Sequence, residues 1–258
     1  MKQGSVLFLL LLLFSGEAQA FMRGPHRLSI GPECAYVERK REGGTKQKGV
    51  LTGGRILYDR LKYSGIYWAA EGYWIGGRLN GHSGGGSELL SHKRDSEIEG
   101  RLGYNFRMCY LRRYIWLTPF VAGGYFEGIN RFKDPSPLEV TFRNTYQYMG
   151  AGALFKIELT SCFSFGIEYK MKFPIEPRSA ITDDPDFDDE TLIVEEKWIY
   201  DANFPITYSR CCKKFRLEAS LIPFYRFRHY GGHMNYPFDF IDTKFNLYGA
   251  RLMFSCSY

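Results

Sequence analysis

The stretch YGARLMFSCSY, Tyr248 to Tyr258, decides the fold. Tyr248, Ala250, Leu252, Phe254, Cys256 and Tyr258 fall on one face of an extended strand, and Gly249, Arg251, Met253, Ser255 and Ser257 on the other. That is the period of two that marks a β-strand. In water, so apolar a terminal strand would expose its greasy face and its unpaired backbone. In a bilayer the same strand closes a barrel, turns aromatic and aliphatic side chains to lipid and keeps its backbone paired.

The opposite end of the sequence agrees. Lys2 precedes an apolar run over 6–14, and Ala18-Gln19-Ala20 has the small-x-small form of a cleavage site. The run falls well short of the roughly 20 apolar residues that a helical span needs. Residues 1–20 are expected to be a cleaved signal peptide and 21–258 an outer-membrane β-barrel domain. No cysteine follows the cleavage site directly, which argues against a lipoprotein anchor. Mean hydropathy is −0.30, yet aromatics reach 17%, with 19 Tyr and 21 Phe, and Gly numbers 28. Transmembrane strands escape a hydropathy scan because only half their residues face lipid, and interfacial girdles favour Tyr and Trp. The net charge of +6 is mild. Because no basic run interleaves with aromatics on one face, a nucleic-acid partner is not expected.

Four further segments alternate cleanly. On the first, Ile98, Gly100, Leu102, Tyr104 and Phe106 oppose Glu97, Glu99, Arg101 and Asn105; segments 163–173, 194–208 and 215–227 behave alike, aromatic on one face and charged on the other. Segments 50–61, 66–78 and 114–125 are Gly-rich and aromatic. Segment 138–159 changes phase around Gly150-Ala151-Gly152, as a bulge would make it. Segment 29–40 is the weakest, a first strand or a periplasmic lead-in. The expected fold is all-β, a transmembrane antiparallel up-and-down β-barrel of about ten strands, with eight as the alternative. Short connectors near 62–65, 107–113, 160–162 and 209–214 alternate with long polar ones at 80–96, 128–137, 174–192 and 230–243, plus a smaller one at 41–48. Periplasmic turns are short and outer loops long, which places both chain ends inside.

On that topology Cys34, Cys109, Cys162, Cys211, Cys212 and Cys256 all fall at the periplasmic rim. Metal binding is disfavoured by the adjacent Cys211-Cys212 pair, which lacks ligand spacing and a nearby His. Internal disulfides fit an oxidising compartment, and intermolecular cross-links fit thiols gathered on one rim. The signal, the aromatic-rich barrel, the terminal strand and the rim cysteines together resemble the Cys-rich outer-membrane proteins of chlamydiae. In that group disulfides stiffen the outer-membrane complex. The resemblance implies partnership with Cys-rich envelope proteins, and assembly by the barrel-assembly machinery through Tyr248, Leu252, Phe254 and Tyr258, although Tyr258 stands where such signals more often carry Phe.

If aromatics face lipid, Glu71, Glu97, Glu99, Arg101, Glu168, Lys170, Lys172, Lys197, Asp201, Arg216, Glu218, Arg226, Arg228 and Arg251 point into the lumen. Mixed signs favour an ion-pair network that closes a narrow barrel over a single-sign ring that selects ions. Rim catalysis would need His with a carboxylate and Ser. His229 and His233 with Asp239 and Asp242, or His82 and His92 with Ser83, Ser87 and Ser91, offer the residue types without a family motif. The acidic run from Asp183 to Glu190, through Asp184, Pro185, Asp186, Phe187, Asp188 and Asp189, reads as a solvated loop, since it lacks the Gly turn of a calcium loop. The sequence therefore points to a structural or surface-interaction, adhesin-like barrel of a Gram-negative outer membrane. Its expected partners are membrane lipid and a host or surface ligand at the long loops, with no cofactor, metal or catalytic residue. A small porin-like channel is the alternative, and an outer-rim hydrolase or lipid-modifying enzyme the second.

Overall fold

The computed structural model describes residues 26–60, 64–110, 113–137, 139–185, 188–212, 215–233 and 240–257. The expected signal peptide at 1–20 and Tyr258 lie outside these residues. The described chain forms β1 (His26–Arg41), β2 (Lys46–Arg60), β3 (Gly65–His82), β4 (Glu88–Tyr110), β5 (Arg113–Lys133), β6 (Thr141–Glu158), β7 (Phe163–Thr182), β8 (Glu190–Ile193), β9 (Ile199–Asn203), β10 (Ile206–Cys212), β11 (Phe215–Tyr230) and β12 (Thr243–Ser257). Each of β1 to β7 pairs antiparallel with the next, and β12 joins β11 to β1. The elements β8, β9 and β10 are successive pieces of a single wall strand. All three pair with β7, and β9 and β10 also pair with β11. Ten wall strands thus close a barrel, with β8 at the far rim paired on one side only, and closure is the arrangement that satisfies backbone groups in lipid.

Segment 29–40 is a full strand, paired on both sides, and this settles ten strands over eight. Parity sorts the side chains as an inside-out protein would. Ile98 is 71% exposed and Val121 60%, whereas their strand neighbours Glu99 and Ala122 are 3% and 7% exposed. Only lipid covers so apolar an outer surface without cost. Aromatic rings bracket the outward apolar belt. Tyr225 packs on Tyr248 at 5.1 Å between centroids near one edge, and Tyr58 on Trp68 at 5.3 Å and Phe163 on Tyr208 at 5.1 Å near the other. In register, Tyr36 stands opposite Tyr248, itself opposite Tyr225.

The β2–β3, β4–β5, β6–β7 and β10–β11 connections lie at the rim where β1 begins and β12 ends. The expected long loops at 80–96, 128–137 and 174–192 are largely strand. For example, β3 runs to His82 and β4 starts at Glu88, so most of 80–96 belongs to the wall. At 23 residues β4 is about twice the length that crosses a bilayer. Beyond the belt the outward positions become Lys46, Lys48, Arg78, His92 and Arg94, all exposed. A wall that leaves lipid for water shows polar side chains, and in a sequence that resembles a loop.

The expected bulge is displaced. Inward positions on β6 keep one parity from Asn144 to Lys156, through Gly150 and Gly152. The extra residue lies on β7, where the inward position passes from Pro174 to Pro177 and Glu176 takes a φ of 46°. Glycine at inward positions 150 and 152 removed the side chains that would have shown the alternation. Inside the barrel, Val37, Leu51, Ile75, Leu79, Phe126, Tyr146, Ile199 and Leu247 form a core towards the far rim. A second cluster of Phe132, Val140, Ile181, Val194 and Phe240, with Leu89, Phe142 and Leu192 packed against it, caps that end.

Candidate functional site

The buried charges of the lumen form the densest chemistry in the molecule. Inward positions on a strand recur every second residue, so Glu97, Glu99 and Arg101 of β4 stack in one column and Glu168, Lys170 and Lys172 of β7 in another. Lys172 contacts Glu97 at 2.5 Å and Asp201 at 2.9 Å, and Lys170 contacts Glu99 at 2.6 Å. Arg101 binds Glu99 at 2.6 Å and Glu168 at 3.3 Å, and also Glu71. Tyr148 reaches across the bare backbone of Gly124, so that its hydroxyl lies 2.8 Å from Glu97 and 2.6 Å from Glu99. Arg251 donates to Asn203 at 2.5 Å, and Asn203 to Glu168 at 3.1 Å. Each member is no more than 9% exposed. Removed from water, such charges are tolerated only because each faces its opposite.

Three sets of partners were not anticipated from the sequence. Glu33 of β1 accepts from Arg55 at 2.7 Å and stands 2.7 Å from Arg226 and 3.7 Å from Arg251, while Arg55 also binds Glu71. Nearer the terminal rim, Arg27 joins Asp59 at 2.5 Å and Glu218 at 3.2 Å, and Glu218 meets Arg216 at 3.0 Å. Nearer the far rim, Asp95 takes Lys93 at 2.8 Å and Arg228 at 2.6 Å, and Arg228 also reaches the Tyr73 hydroxyl. Asp95 shares the parity of Glu97 and Glu99, so extending that column by one step would have found it. Lys197 departs from expectation. It lies in the irregular stretch between β8 and β9 and pairs with Glu195 at 2.6 Å, away from the lumen; that hydrogen bond raises the pKa of its ammonium.

The ion-paired layer separates two small spaces. A cavity of about 90 Å³ bordered by Arg27, Asp59, Tyr67 and Lys156 lies on the terminal side. One of about 30 Å³ bordered by Arg39, Asn130, Tyr230 and Phe245 lies under the cap.

Five of the six cysteine positions lie near the terminal rim. Cys109 is the second-last residue of β4, Cys162 sits in the β6–β7 turn, Cys211 and Cys212 end β10, and Cys256 is the second-last residue of β12. The side chain of Cys212 lies outside the described residues. Cys34 is not at the rim. It pairs with Ala250 and Thr52 on the exposed face of β1 between Ile30 and Tyr36. Eight residues of strand, about 26 Å, separate it from His26. Cys34, Cys109, Cys162, Cys211 and Cys256 carry free thiols.

Among the described residues the histidines gather no nucleophile. His229 pairs with Asp242, and His233 bridges backbone to backbone with Phe240; Asp239 lies outside the described residues. Ser91 accepts from Gln47 at 3.0 Å inside the barrel while His92 faces out, and Ser83 accepts from the Ser87 amide in a tight turn near His82. The acidic run occupies the β7–β8 connection, with Asp186 and Phe187 outside the described residues. Among the described residues no three His, Cys, Asp or Glu side chains converge as a metal site would require.

No family model and no curated protein matches the chain. Solved structures do. The outer-membrane protease OmpT from Escherichia coli is 9% identical, covering 91% of this chain and 96% of its own, with a TM-score of 0.54. The transport unit of the autotransporter AIDA-I from Escherichia coli is 8% identical over 99% of this chain and 97% of its own, with a TM-score of 0.48. Ail, the attachment invasion locus protein of Yersinia pestis, solved with the heparin analogue sucrose octasulfate, is 12% identical over 90% of this chain and 99% of its own, at 0.32. The first of these likenesses shows the fold, that of a Gram-negative outer-membrane β-barrel, and identities this low carry no activity across.

Proposed function

We propose that the chain is a closed barrel of a bacterial outer membrane with a structural and surface-interaction role. Lipid covers its belt, the terminal rim faces the periplasm, and the raised far rim meets ligands or host surfaces. The observation that carries this reading is the layer Arg55–Glu33–Arg226 and Arg101–Glu99–Lys170, which fills the lumen cross-section with compensated charge. Ions would have to break these pairs to pass, and a filled barrel is rigid. Planar-bilayer recording tests it: the purified protein should give no steady conductance, and a stable open level would replace this reading with the small channel. The belt-facing strand end with Tyr248, Leu252 and Phe254 is the part that the assembly machinery would read. The protein is not an enzyme on this account, so lipid and peptide substrates should stay intact in its presence, with His229 or without it.

A second reading adds to the first. The free thiols at Cys109, Cys162 and Cys211 sit on the rim assigned to the periplasm, where an oxidising medium favours cross-links to Cys-rich envelope proteins. Electrophoresis of native envelopes without reductant should show high-mass bands that collapse on reduction. A monomer in both lanes would remove the cross-linking role and leave the closed barrel standing.

A further inference from the structure

The small cavity under the cap is unfinished in its hydrogen bonding. Arg39 of β1, Asn130 of β5 and Tyr230 of β11 border it and are 5%, 3% and 6% exposed. Arg39 donates through one Nη to Gln47 at 2.6 Å, but its Nε has no partner. Neither amide atom of Asn130 has one, nor does the Tyr230 hydroxyl. A buried polar group left unmet costs about 1–3 kcal/mol. Three of them around one void mark a place where something polar belongs.

Charge gives its sign. Among the described residues no carboxylate pairs with Arg39. Arg41, two residues on, adds like charge. Arginine keeps its proton at neutral pH, so the charge stays and calls for an anion. The neighbouring cluster does not supply one. Lys93 and Arg228 share the single carboxylate of Asp95, and the Lys93 ammonium lies 4.4 Å from the centroid of Phe245, with Arg39 at 5.9 Å from the same ring. Volume gives its size. A void of about 30 Å³ has room for one or two water-sized bodies, which excludes phosphate or a sulfated group.

We infer that this cavity binds one small monovalent anion of chloride's size, with Arg39 supplying the charge, Asn130 its amide protons and Tyr230 its hydroxyl. Because the cavity is roofed by the capping cluster, the anion ties the cap to the barrel. Whatever binds only the folded state stabilises it by mass action.

The test uses the purified full barrel exchanged into sodium bromide or sodium gluconate at equal ionic strength. Bromide should raise the melting temperature by about 3 °C, the shift that tenfold saturation gives a chain of this size. Crystals grown in bromide should show an anomalous peak within about 3.5 Å of Arg39 and Asn130, a hydrogen-bonding distance for a large anion. Arg39→Gln should lose both the shift and the peak while keeping its heat-dependent gel mobility. Equal melting temperatures in the two salts, a bromide map without density in the cavity, or a peak that survives Arg39→Gln would each overturn the site. Should that variant fail to fold, the two wild-type measurements decide alone.

Discussion

Glu33 and Arg39 lie six residues apart on β1 and face the same lumen, yet one is clasped by three arginines and the other by none. Glu33 sits in the layer where every charge has a counter-charge within the protein. Arg39 sits one compartment higher, with a neutral glutamine and two aromatic rings, those of Phe132 and Phe245, for company. The difference is one of charge: Glu33 and its arginines neutralise one another even though Glu33 Oε1 and both Arg226 Nη atoms lack a hydrogen-bond partner, whereas Arg39 has no counter-charge among the described residues. A compensated layer resists the loss of any member because each removal strands its partners. An uncompensated charge gains from removal unless a counter-ion is already there.

Four substitutions test that contrast, in falling order of effect. Glu33→Ala strands Arg55, Arg226 and Arg251 and should destabilise the barrel by about 3–5 kcal/mol, read as a lower urea midpoint in micelles. Gly124→Val places a methyl-bearing Cβ against the Tyr148 hydroxyl and the Ile98 carbonyl, both 2.5 Å from the added carbon. Driving Tyr148 off Glu97 and Glu99 should cost about 1–3 kcal/mol. Arg39→Met should cost less than about 1 kcal/mol in gluconate and show a deficit against wild type only in bromide; a large loss in both salts would erase the contrast with Glu33. Arg143→Ala breaks the exposed pair with Glu127 and should change the midpoint by no more than about 0.5 kcal/mol.

Much of this was readable in the chain and some was not, for physical reasons. Strand parity told which residues of β4, β7, β11 and β12 face inward, because charge on one side and aromatics on the other leave no second choice of face. The partners of those charges were hidden, since Glu33 meets Arg226 only where the sheet closes on itself. Cys34 reads as a rim residue in the sequence because β1 alternates weakly, with Gly31 and Pro32 breaking its pattern. Lys197 had the right parity for the lumen but lies where the wall strand is interrupted, and parity has no meaning without a ladder. The tall outer wall reads as loops in the sequence because alternation tells inside from outside, while only the partner of the outer face, lipid or water, sets whether that face is greasy.

The interruption between β9 and β10 leaves the barrel with a seam. At Phe204-Pro205 the proline has no amide proton, and β10 meets β7 only over Ile206–Tyr208 before Cys162 takes over the bonding of Ser209. Apart from β8 and the irregular stretch 194–198 towards the far rim, the rest of the wall is zipped along whole strands. A strained barrel opens where it has fewest teeth, so the gap for a lateral guest, a lipid chain or a threading peptide, should form beside β10 rather than at the β12–β1 closure. Amide exchange in micelles would show it as faster deuterium uptake at Ile206–Tyr208 than at Tyr36 or Tyr248.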